Sequence, residues 1–205
     1  MVEFVSWEAS QRKLRLFACA LCRQVWHLLP DKRIRKAIVT AEEYADGTAS
    51  KADLRKANHA VYEASCKAPI GKWTRAVPTL QDFGRSAVRV ACEDRSEALR
   101  NCILHEVTFV LEAINNEFSF EPCHFVREIF GNPFRSGSVD PRWLSTDTIN
   151  VAQAIYDDRS FDRLQILANR MQDRGCNYSD ILEHCRKPST HARGCWVIDL
   201  VLGKK

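Results

Sequence analysis

The chain has 205 residues, nine of them cysteine, with 45% hydrophobic and 27% charged side chains and a formal net charge of +4. This length suits one large domain or two small, closely packed ones, with enough apolar material for a core that needs no disulfide framework. Charges of mixed sign argue against a dedicated polybasic arm, and no apolar run reaches the length of a bilayer span.

The opening stretch, Met1 to Arg15, lacks a basic region followed by an apolar one, so no secretory leader is expected. Without export, an odd number of cysteines is expected to stay mostly as thiols, and a cytoplasmic protein follows. In chain order, "SQRKLRLFACALCRQVWHLL" places Leu14, Phe17, Leu21, Val25 and Leu28 at spacings of three and four. This predicts an amphipathic helix with Ser10 as N-cap and Pro30 as its stop. A second helix carries Ile34, Ala37, Ile38, Ala41 and Tyr44 and closes at Gly47. A third carries Leu54, Ala57, Val61 and Ala64.

Residues 69–84 read as irregular, punctuated by Pro69, Gly71, Pro78 and Gly84. Helix is expected again over 85–94 and 95–118, then over a short segment with Pro122 near its start and Gly131 at its end. "RSGSVDPRWL" reads as a loop, followed by three capped helical segments and an apolar terminal helix around "CWVIDLVLG". No segment alternates at period two, so the expected class is all-α: a compact bundle of about eight helices. A single domain over 1–205 is expected, with a sub-division into 1–120 and a Cys/His-containing part over 121–205.

Several long motifs carry a resemblance: "RKLRLFACALCRQVWHLLPDKR", "AEEYADG", "REIFGNPFR", "DPRWL", "AQAIYDDRSFDRLQILA" and "GCNYSDILEHCR…HARGCWVIDLVLGK". The chain resembles a family of paralogous bacterial proteins, mainly planctomycete, over roughly residues 3–60 and 123–204. The resemblance implies helical structure and brings no established activity with it.

The C-terminal stretch concentrates the candidate chemistry. Cys176, Cys185, His191 and Cys195 follow a Cys-x8-Cys-x5-His-x3-Cys spacing. Three thiolates and one imidazole would close a tetrahedral structural zinc site, so zinc is the cofactor to consider. His184 is a spare donor, and Cys19 and Cys22 form a Cys-x-x-Cys pair able to supply half a site. The alternative is that these cysteines are small core residues, since free Cys is among the most buried residue types. Asp199 is the only charge between Cys195 and Leu202, and a buried carboxylate needs a partner, for which Arg186 and Arg193 are the candidates.

Phe134, Arg135, Arg142 and Trp143 lie on the expected loop, where aromatic and Arg side chains serve as binding anchors or pin the loop to the core. "HEVTF" at His105 lacks the second His of a zinc hydrolase, and no Gly-rich phosphate loop is present. The reading reached is a non-catalytic helical interaction or regulatory module with a protein partner and no membrane association. A zinc-stabilised nucleic-acid-binding domain is the second reading, with Arg12, Lys13, Arg15, Lys32, Arg33, Arg35 and Lys36 as a basic face. An enzyme using Cys185 with His184 or His191, oriented by Asp199, is the third.

Overall fold

A computed structural model describes residues 9–24, 26–66, 88, 91–93, 122–132 and 139–205. Among them are eight α-helices, three 3-10 turns and no strand, so the chain is all-α as expected. None of these helices is long and apolar enough to cross a membrane. The chain divides into two compact units, Met1–His124 and Phe125–Lys205.

In the first unit, α1 (Gln11–Gln24) packs on α2 (Lys32–Ala45), and α2 on α3 (Lys51–Cys66). Ser10 caps α1 by accepting the Lys13 N–H at 3.3 Å. The helix ends at Gln24, earlier than the sequence periodicity suggests, and a 3-10 turn covers Trp26–Leu28. A physical reason is visible: the Arg35 guanidinium donates to the carbonyls of Leu29 and Trp26, at 2.5 and 3.2 Å, and so satisfies groups outside the helical ladder.

Asp31 caps α2 through the Arg33 N–H at 2.8 Å, and Gly47, at φ +76°, closes it. A capping box opens α3: Ser50 Oγ accepts the Asp53 N–H while Asp53 Oδ2 accepts the Ser50 N–H. The expected stripe Leu54, Ala57, Val61 and Ala64 is buried. The helices expected over 85–94 and 95–118, and the irregular stretch 69–84, fall outside the described residues except at 88 and 91–93, where Val88, Ala91 and Cys92 are buried.

The second unit opens within α4 (Pro122–Phe130) and continues through α5 (Thr146–Asp158), α6 (Leu164–Asp173), α7 (Ser179–Arg186) and α8 (Trp196–Leu202). Helix α5 packs on α6 and α8, and α7 packs on α6 and α8. Their shared core holds Ala152, Ile155, Leu167, Met171, Ile181, Val197, Ile198 and Val201, and Trp143 joins it from the 3-10 turn Pro141–Trp143. The apolar pattern of each segment therefore turns inward, which is the main stabilising term for helices this short. Tyr156, also buried, has the Arg193 guanidinium and the Lys204 ammonium over its ring, at 4.9 and 4.8 Å.

Candidate metal centre

Helix α4 has an apolar face of Phe125, Val126 and Ile129, and one carboxylate, Glu128, is buried with them. Such a group must be met by donors, and three converge on it. His191 Nδ1 lies 3.0 Å and His184 Nε2 3.3 Å from Glu128 Oε2, while the Ala192 N–H donates to Oε1 at 3.3 Å. Cys195 completes the group, its Sγ 3.2 Å from His184 Nε2.

One ligand atom from each of Glu128, His184, His191 and Cys195 lies within 4.8 Å of the others. Three stretches of chain position them. Glu128 is on α4, His184 in the last turn of α7, His191 on the connection after α7, and Cys195 is the residue preceding α8. Outer contacts fix the rings. Trp196 Nε1–H donates to His184 Nδ1 at 3.1 Å, Ser189 Oγ lies 3.3 Å from His191 Nε2, and the two imidazoles meet edge to face with centroids 5.1 Å apart.

Burial alone would raise the Glu128 carboxyl. The hydrogen bond from His191, the neighbouring imidazoles of His184 and His191, and the Ala192 N–H together hold it below the ordinary carboxylate range. Burial, then the charges of Glu128 and Cys185, push the Cys195 thiol well above its usual range, against the N–H groups of Ile198 and Val197. Cys195 is therefore a protonated thiol at neutral pH unless a cation draws off its proton.

The donor set fits a transition metal. Two imidazoles, one thiol and one carboxylate suit a borderline ion, and a buried Glu/His/His/Cys group of this spacing is able to hold one. Tetrahedral zinc, with bonds of about 2.0–2.3 Å, sets its ligand atoms about 3.3–3.6 Å apart. The contacts of 3.0, 3.2 and 3.3 Å are already close to that cage.

Two of the four ligands expected from spacing are present, His191 and Cys195, and His184, the spare donor, is the third. The other two expected ligands are replaced. Cys176 and Cys185 belong to the apolar core, and burial, then the charges of Glu128 and Cys176, raise Cys185 to about 12. The reason is helical phase. His184 and Cys185 are adjacent on α7 and so point about 100° apart, which sends one to the cluster and the other to the core. Cys19 and Cys22 are buried in the first unit, and neither is among the clustered ligands.

Glu128 was not anticipated, because 56 residues separate it from His184 and no spacing motif links them. One signal was available: a single carboxylate among Phe125, Val126 and Ile129 on a helix face, the same signal that singled out Asp199. Asp199 is indeed buried, but Arg186 is not its partner. It donates instead to Asn169 and Gln172, at 3.0 and 2.5 Å.

The expected basic face is not one surface. Arg15 is buried, with its guanidinium donating to the Ala91 carbonyl and lying 4.9 Å from the Tyr44 ring centroid. Arg12 pairs with Asp46, Arg33 with Asp31, and Arg35 with backbone carbonyls, while Lys32 and Lys36 are exposed and Lys13 is half-buried. Of the loop candidates, Trp143 is a core residue and Arg142 is exposed and paired with Asp140, whereas Phe134 and Arg135 lie outside the described residues. Comparison with family models, curated proteins and solved structures gives no match.

Proposed function

We propose that Phe125–Lys205 holds one structural zinc ion at Glu128, His184, His191 and Cys195, and that the chain works as a non-catalytic helical interaction or regulatory module with a protein partner. The observation that carries this reading is the convergence of four ligand atoms, from α4, α7 and the connection to α8, within 4.8 Å of one another. Four protein ligands leave no open position, which is the arrangement of structural rather than catalytic zinc. Such an ion would tie α4 to the end of the chain, closing a long loop.

Two further observations favour a module over the other readings. The Cys185 thiol is raised to about 12, so it is not an activated nucleophile. The basic residues of the first unit are partly consumed by acids and carbonyls, which weighs against a phosphate-binding face.

The test is metal analysis of protein purified under reducing conditions without added zinc, with binding measured on the stripped protein. One zinc per chain is expected, lost in H191A and C195A and retained in C176A. Stripped wild-type protein that takes up no zinc at micromolar concentration contradicts the reading.

A further inference from the structure

The two histidines offer nitrogens to the same carboxylate, yet their outer nitrogens meet opposite chemistry. His191 Nε2 lies 3.3 Å from Ser189 Oγ, a hydroxyl whose lone pairs can accept. His184 Nδ1 instead accepts the Trp196 indole N–H at 3.1 Å. An indole nitrogen only donates, so Nδ1 carries no proton here and Nε2 carries it, facing Glu128 Oε2 and Cys195 Sγ.

A metal-bound neutral imidazole requires the reverse. Its ligating nitrogen gives up a lone pair, and its outer nitrogen keeps the proton and donates it to an acceptor. With zinc on His184 Nε2, the ring N–H and the indole N–H would meet donor to donor.

Resting on the zinc reading, we propose that Trp196 is a built-in competitor for the metal. Its indole N–H holds His184 in the tautomer that cannot ligate. Loading breaks this hydrogen bond: the proton leaves Nε2, one is taken up at Nδ1, the ring stays neutral, and the indole turns away. The indole thus lowers the affinity of the site without opening it, and Trp196 is a positioning residue whose placement reports occupancy.

The surroundings suit that role. Trp196 begins α8, and its ring meets His184 edge to face at 5.3 Å. It also packs against Gly131 at the end of α4, where an added Cβ would lie 3.2 Å from Trp196 Cγ and Cδ2. A turn of the indole is therefore felt at the end of the helix that carries Glu128.

The experiment compares wild-type protein with W196F, which removes the N–H and keeps a ring, by titration with zinc against a competing chelator. Loss of a competing hydrogen bond predicts roughly threefold to tenfold tighter binding by W196F. In wild type, the indole N–H resonance that W196F lacks shifts on zinc addition, and the His184 ring-nitrogen signals change from the Nε2–H to the Nδ1–H pattern. These wild-type readouts do not depend on how well the variant folds.

Equal or weaker binding by W196F, or a His184 that keeps its Nε2 proton with zinc bound, overturns the inference and leaves the zinc reading standing. If neither protein takes up zinc, both readings fall.

Discussion

Removing the Glu128 carboxylate is the most informative perturbation of the metal-free fold. The side chain is fully buried and accepts from three groups: His191 Nδ1 at 3.0 Å, His184 Nε2 at 3.3 Å and the Ala192 N–H at 3.3 Å. In E128A the His191 Nδ1 and Ala192 N–H donors lose their acceptor in a buried site, while His184 Nε2 keeps only the Cys195 sulfur at 3.2 Å. Removing one partner of such a buried charged network costs about 3–5 kcal/mol. E128Q keeps one carbonyl oxygen but turns an amide N–H toward groups that are themselves donors, so its loss is smaller, about 1–3 kcal/mol.

The assay is urea unfolding with reductant and chelator, followed by tryptophan fluorescence. With a slope of about 1 kcal/mol per molar urea, a loss of 3 kcal/mol lowers the midpoint by about 3 M. A loss in E128A of less than about 1 kcal/mol would refute the view that this carboxylate organises the end of the chain.

The remaining predictions concern thiols, a glycine and a cap. Cys92 and Cys185 are raised to about 12, mainly by burial, so folding disfavours their thiolates. Stability on their account is intact below the ordinary thiol range near pH 9 and declines as pH rises toward 12, which unfolding midpoints across that range will show. Native protein should also react slowly with a thiol reagent at pH 7.5 and rapidly in denaturant, and a fast native reaction of Cys185 contradicts its burial. Gly131→Ala meets both a φ of +68° and the Trp196 ring, so a loss of roughly 1–3 kcal/mol is expected; an unchanged Tm opposes it. Ser145→Ala removes the acceptor of the Thr148 N–H at the start of α5 and should cost about 1 kcal/mol by thermal unfolding, with no effect on zinc binding.

What the sequence made legible was what local physics decides. The stripe Leu54, Ala57, Val61 and Ala64, the glycines closing α2 and α4, and Ser10 as a cap all follow from periodicity and backbone chemistry within one helix. The early end of α1 was not legible, because it depends on Arg35 reaching back to carbonyls six and nine residues earlier.

The metal cluster shows the same division. Spacing found His191 and Cys195, which lie on one short connection, but it counted Cys185 where helical phase selects its neighbour His184. Glu128 was beyond any spacing argument, since only tertiary packing brings α4 to the tail. The basic residues of 12–36 show the converse. Adjacency in sequence suggested one face, while the fold buries Arg15 and spends Arg12 and Arg33 on Asp46 and Asp31.

X-ray absorption at the zinc edge of stoichiometrically loaded protein reads the identity of the ligands. The cluster of Glu128, His184, His191 and Cys195 predicts a first shell of one sulfur at about 2.3 Å and three nitrogen or oxygen atoms at about 2.0–2.2 Å, with imidazole outer-shell scattering. A shell of three sulfurs and one nitrogen, as Cys176, Cys185, Cys195 and His191 would give, contradicts it.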